Sequence, residues 1–260
     1  MPIIKTQTNI EVYKYLARQK DIHFLSGRSK NKNVTEFVNR CIIDKMKFGA
    51  DDNVVDVGCG DGSLLAQIAN QVKSVTGIVP TDEEEERLIS SYKGIANLLF
   101  IKSRADSIKC LNSFANKTVC NGVMLLLTDL NEVKRAISEL SRITQSGGTL
   151  WIGEVAIVDE YSGKNYGKSI IKWLWYMLIN GDFLGCYNGL VKALKSKFTS
   201  QDFIIQPKKM FSIEADRFVE LCILNGLELI EMKTHLTIGI NGIPIELKSR
   251  MNFIFKKVKS

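Results

Sequence analysis

Val54–Val55–Asp56–Val57–Gly58–Cys59–Gly60–Asp61–Gly62–Ser63 decides how this chain folds. Four strand-forming residues run into three glycines at alternate positions, and a helix-competent stretch, Ser63–Asn70, follows at once. Glycine suits such a turn because a side chain would stop the backbone from bending sharply and approaching a ligand closely. The helix that follows aims unpaired N–H groups at the same place. Downstream, runs of strand character at 74–79, 97–101, 118–124 and 149–157 alternate with helical patterns at 82–91, 106–113 and 131–143. That rhythm predicts βαβ units and a mostly parallel sheet covered on both faces.

Upstream, Ile10, Tyr13, Leu16 and Ala17 fall on one stripe and predict a short helix. A basic loop, Ser26–Asn33, leads into a second helix carrying Val34, Phe37, Val38, Cys41, Ile42 and Met46. After the fifth strand the rhythm breaks. Residues 159–210 hold two apolar helical stretches, 168–179 and 183–195, and a basic segment ending Pro207–Lys208–Lys209. A helix at 213–224, capped by Ser212 and Gly226, and strands at 227–233 and 250–257 complete the pattern. The whole reads as one domain over 1–260. It comprises a helical cap (1–50), a ligand-binding core (51–158), a helical insertion that forms an acceptor lid (159–210), and a C-terminal helix with the final two strands (211–260).

The chain has 260 residues, 45% hydrophobic and 24% charged, which excludes a disordered, collagen-like or disulfide-scaffold protein. No apolar run reaches the roughly 18 residues that span a bilayer, and the N-terminus lacks a signal-peptide core. Six scattered cysteines without a C-x-x-C pair read as reduced thiols of a cytoplasmic protein. Net charge is +6 over residues 1–50, −4 over 51–158 and +5 over 159–260. An acidic centre between basic flanks favours an anionic partner.

The spacing G-x-G-x-G, with Asp56 two residues before the first glycine, resembles motif I of class I S-adenosylmethionine (SAM)-dependent methyltransferases of the small-molecule type. A dinucleotide fingerprint would need glycine where Ser63 stands. Asn121–Gly122–Val123–Met124–Leu125–Leu126–Leu127–Thr128–Asp129 is similar to that family's fourth strand and following loop. Glu139 to Ile152 is similar to its helix, "PGG" turn and fifth strand, with Ser146 in place of proline. The resemblance covers about residues 50–157. It implies a Rossmann-like seven-stranded sheet with the last strand antiparallel, and SAM as cofactor with S-adenosyl-L-homocysteine as product. It also implies contacts from Gly58, Cys59, Gly60 and Gly62 to the methionyl group and ribose, and from Asp56 to the ammonium. Ala105, Asp106 and Ser107 would read the adenine, and Asn121 and Gly122 would touch the methionine portion. The usual ribose carboxylate position holds Val79, leaving Thr81, Asp82 or Glu83 as replacements. The acidic run from Asp82 equally reads as helix capping behind Thr81.

Methyl transfer to an alcohol needs a general base. The candidates are His23, Glu154, His235 and Tyr161, with Asp159 beside the last. Arg28 is a candidate clamp for a carboxylate or phosphate. No His/Asp/Glu cluster has metal-ligand spacing. The acceptor is expected to be a small polar, anionic molecule methylated on O or N, with a nucleotide-linked or polysaccharide-precursor sugar as the best match to the charge. Alternatives are an RNA methyltransferase, against which no RNA-binding module is found, and a non-catalytic binding module of the same fold. The aromatic stretch Ile170–Ile179 serves either a lid or a membrane surface. A monomer and a homodimer both fit.

Overall fold

The computed structural model describes residues 9–27, 32–158, 211–239 and 242–258. The helices forecast at 168–179 and 183–195, the lid, Arg28, Asp159 and Tyr161 lie outside the described residues.

β1 (Asn53–Val57), β2 (Ser74–Val79), β3 (Leu98–Lys102), β4 (Ala115–Asn121), β5 (Thr144–Ala156), β6 (Leu227–Ile238) and β7 (Pro244–Lys257) form one sheet in the order β3-β2-β1-β4-β5-β7-β6. The first five are parallel, while β7 runs antiparallel to both β5 and β6. This is the Rossmann-like seven-stranded arrangement that the resemblance implies, and its parallel part is the one the alternating pattern predicts. Successive β1 residues point to opposite faces. Val54 packs with Leu65, Ile68, Val75 and Leu88 on the side of α3 (Ser63–Ile68) and α4 (Asp82–Tyr92). Val55 and Val57 pack on the other side, with Val133, Ile137 and Leu140 of α5 (Leu130–Ile143) and Phe218 and Leu221 of α6 (Ala215–Ile223). The N-terminal α1 (Asn9–Ala17) and α2 (Lys32–Met46) lie on the α3 side, where Val38, Ile42 and Met46 meet Leu64, Val119, Trp151 and Ile254.

Four local expectations need correction. No helix forms over 106–113. Arg104 and Ser107 bridge instead and the Ser103 hydroxyl donates to the Ser107 carbonyl, a short polar side chain outcompeting the helix. β4 ends at Asn121, not Met124, because Gly122 turns left-handed at φ 71° and Met124–Leu126 coils into a 3-10 turn. A short apolar run carries no period that separates these two outcomes. β5 starts at Thr144, absorbing the glycine pair as an irregularity opposite Ala115–Lys117. Ser212 does not cap α6: Glu214 stands at the cap, and Ile213 bridges to Ile157.

α4 shows how the acidic run is used. The Thr81 hydroxyl accepts from the Glu84 N–H (3.2 Å) and donates to the Glu84 carboxylate (2.7 Å), closing the helix N-terminus. Glu84 is buried, and burial pushes its carboxyl up from 4.5 to about 7 despite the Thr81 hydrogen bond. A carboxyl that holds its proton more tightly when folded adds stability that is fully present below about pH 4.5 and lost as pH rises through about 7. Wild type and Glu84→Gln are therefore expected to unfold at similar urea concentrations near pH 5. By pH 8 the variant should lead by up to about 3 kcal/mol. Parallel urea melts at the two pH values check this, and a constant difference would contradict it.

Candidate functional site

Strand order reverses between β1 and β4, so the crevice at their carboxyl ends is where an open α/β sheet takes its ligand. β1 delivers Asp56 there, and β4 delivers Asn121. The turn between β1 and α3 holds Gly58, Gly60 and Gly62 at φ 77°, 57° and 73°, all left-handed. Backbone N–H groups of Gly58 and Cys59 both donate to the Ile78 carbonyl (2.8 and 3.2 Å), which ties the turn to β2. The cleft beside it is lined by Asp56, Gly58, Gly60 and Asn121, and by Thr35 and Asn39 of α2.

The glycines make room for neighbouring parts of the protein. A Cβ on Gly58 would lie 2.3 Å from a Val123 methyl, and one on Gly62 would lie 2.8 Å from the Tyr92 ring. A Cβ on Gly60 would sit 3.1 Å from the Leu25 carbonyl and 3.2 Å from the Ser26 Cα. Each bare position is thus packed by protein, and the 3-10 turn Ile22–Ser26 rests directly on the motif. Polar contacts fasten it there. His23 Nδ1 and Asp61 Oδ2 are 3.0 Å apart, both buried. Asp61 Oδ1 accepts from the Ser63 N–H and hydroxyl, and the Tyr92 hydroxyl donates to the Asp61 carbonyl. Asn39 Nδ2 donates to the Ser63 hydroxyl at 3.0 Å.

Around β4 and β5 a second cluster forms. The indole N–H of Trp151 can only donate, so the Asn121 atom 3.1 Å away is its oxygen. Asn121 Nδ2 then donates to Glu154 Oε1 at 2.9 Å, and both ends of the amide are clamped. Glu154 is buried and left-handed at φ 54°, uncommon for a side chain of that size, where β5 shifts register against β7. Arg250 Nη1 donates to its other oxygen at 2.7 Å. The Glu154 N–H donates to Asn252 Oδ1, so His235 Nδ1, 3.2 Å from that same oxygen, must carry its proton. His235 Nε2 then faces Glu154 Oε1 at 3.9 Å.

Of the sequence-derived catalytic candidates, Glu154 and His235 come together, whereas His23 belongs to the cap and meets Asp61. Among the cofactor candidates, Asp56, Gly58, Cys59, Gly60 and Asn121 line the cleft and Gly62 closes the turn behind it. Gly122 lies beside Glu154, whose carboxyl carbon is 3.8 Å from where its Cβ would be. Thr81 is committed to capping α4. Asp82 is exposed and holds Lys102 at 2.6 Å, a hydrogen bond that keeps its carboxyl below the usual range. Both observations favour the capping reading of that run. Ala105, Asp106 and Ser107 are not among the residues lining the cleft. Burial opposes ionisation of Asp106, but hydrogen bonds from Arg104 (2.9 Å) and Arg135 (3.2 Å) outweigh it and hold the carboxyl low. The Cys59 thiol is pushed well up, first by burial and then by the nearby carboxylates of Asp56, Glu84 and Asp61, so it is no nucleophile.

Sequence reasoning missed Asn39, Asp61, Trp151, Arg250 and Asn252. It also missed Thr35, a residue of the cleft lining whose buried hydroxyl has no hydrogen-bond partner among the described residues. Such a group costs about 1–3 kcal/mol. Asp61 stood in plain view inside the motif. The others carry no local signal, because each is assembled from a distant element.

Residues 54–148 match the family described as a methyltransferase domain. Solved structures of the same fold include a SAM-dependent methyltransferase of Methanosarcina mazei, 19% identical, with a TM-score of 0.58 over 84% of this chain and 98% of that one. Another is the N-methyltransferase NodS of Bradyrhizobium japonicum in complex with S-adenosyl-L-homocysteine, 13% identical, with a TM-score of 0.59 over 96% and 98%. Phosphoethanolamine N-methyltransferase 1 of Haemonchus contortus, in complex with phosphoethanolamine and S-adenosylhomocysteine, is 11% identical with a TM-score of 0.63. That alignment covers 96% of this chain and 48% of the nematode enzyme. At such identities the likeness establishes the fold. No curated protein sequence matches the chain. Among the described residues, no helix is long and apolar enough to cross a membrane.

Proposed function

We infer that this chain, which carries a class I SAM-dependent methyltransferase domain, binds its cofactor in the cleft beside the glycine turn. There it methylates an oxygen or nitrogen of a small polar acceptor presented at the carboxyl ends of β4 and β5. The observation that carries the reading is the junction of that cleft, walled by Asp56 and Asn121, with the buried Glu154 cluster immediately behind Asn121.

The residues fit the cofactor. Asp56 supplies a buried carboxylate for an ammonium group, and Asn121, clamped at both ends, keeps its orientation without reorganising. When bound, SAM supplies an activated methyl group on a sulfonium leaving group, so the protein is left with placement and desolvation, worth roughly 7–11 kcal/mol. Glu154 is the candidate to take a proton or steady positive charge on the acceptor, with His235 beside it. Arg250 is only partly buried and offers its remaining donors to an anionic group. That supports a phosphorylated or nucleotide-linked acceptor, such as an activated sugar, as the first class to screen.

Two measurements test the cofactor reading. Mass spectrometry of the purified protein should find SAM or S-adenosylhomocysteine. Titration calorimetry should then show Asp56→Asn binding S-adenosylhomocysteine at least tenfold more weakly, the loss of one charge-assisted hydrogen bond. A wild-type chain indifferent to both nucleosides would overturn the reading.

A further inference from the structure

The least explained side chain of the cleft lining is Thr35. It belongs to α2, in the N-terminal cap whose sequence carried no readable motif. The residue is 3% exposed and lines the cleft that Asp56 lines, and its buried oxygen has no hydrogen-bond partner among the described residues. A buried hydroxyl without a partner is uncommon, and at a cleft wall it points to a polar group that completes it. Two further features indicate the sign of that group. Thr35 lies in the first turn of a 15-residue helix, the end that carries the positive half of the peptide dipole. Four residues on, the Asn39 side chain faces the same cleft and fastens α2 to Ser63 of the glycine turn. A carboxylate is therefore disfavoured beside Asp56 and favoured beside Thr35, while an ammonium has the reverse preference. The two walls together match a zwitterionic α-amino acid.

We propose that Thr35 donates its hydroxyl hydrogen bond to the α-carboxylate of the cofactor's methionyl group, making α2 part of the cofactor site. This rests on the cofactor reading above and extends it to a segment outside the glycine motif. Recognition of the amino-acid end thereby draws on both α2 and the end of β1.

The test compares two ligands that differ in that end. S-Adenosylhomocysteine carries the ammonium and carboxylate, whereas 5′-methylthioadenosine carries neither. Titration calorimetry on Thr35→Val should show S-adenosylhomocysteine weakened by about tenfold or more, as for a hydrogen bond to a charged group. Methylthioadenosine affinity should stay within about twofold. Thr35→Ser, which keeps the hydroxyl, should bind both as wild type does. Because valine deletes an unpaired polar atom without changing the shape, the variant should melt at or slightly above the wild-type temperature, so loss of fold does not confound the result. Unchanged S-adenosylhomocysteine affinity in Thr35→Val overturns the carboxylate assignment, as does an equal loss for both ligands. If wild type binds neither nucleoside, the cofactor reading falls and takes this assignment with it.

Discussion

Gly58→Ala should unfold at a markedly lower urea concentration than wild type, by about 2–5 kcal/mol, and lose most of its affinity for S-adenosylhomocysteine. Two costs add. The backbone sits at φ 77°, where a Cβ costs roughly 1–2 kcal/mol. The new methyl also starts 2.3 Å from Val123 Cγ2, an overpacking of a kind that costs about 1–3 kcal/mol. Domains of ordinary stability have only about 5–15 kcal/mol in hand. Val123→Ala in the same chain removes the second cost but not the first, so the double variant should recover part of the loss. Gly94→Ala is the control: a Cβ there meets nothing within 4 Å, and its φ lies outside the left-handed range. A Gly58→Ala protein as stable as the control would mean that the turn is not held as described.

The second large effect concerns Glu154. With an acceptor in hand from the screen, Glu154→Gln should lower kcat by about 10²–10⁴-fold, the range for loss of a general base. S-Adenosylhomocysteine affinity should stay within about threefold. The glutamine oxygen can still accept from Asn121, so the amide clamp at the cleft survives. What is lost is the negative charge between Arg250 and His235. A purely architectural Glu154 would give the opposite split, with cofactor affinity falling in step with kcat.

The sheet was legible because burial on both faces writes continuous apolar runs, and because glycines at 58, 60 and 62 leave few alternatives to a strand–turn–helix. β2 was read to the residue for this reason. Met124–Leu126 was misassigned since an apolar triplet fits a strand and a 3-10 turn equally. In the site, the cleft-lining residues carried by recognisable local segments were readable: Asp56 and the glycines in one stretch, Asn121 in another. The part built by register was not. Arg250 and Asn252 reach Glu154 only because β7 pairs antiparallel with β5 across an irregularity. His23 shows the same limit from the other side. A lone histidine near a basic loop gave no hint that its partner would be Asp61, inside the motif itself.

Leu25 and Ser26 resting on Gly60 bear on any attempt to transplant this motif. A designer who copies Val54–Ser63 into another sheet would carry over the bend but leave behind the roof that steadies it, since that roof is encoded about 35 residues earlier. The portable unit is discontinuous, and a graft that omits residues 22–26 should inherit the shape of the loop without its rigidity.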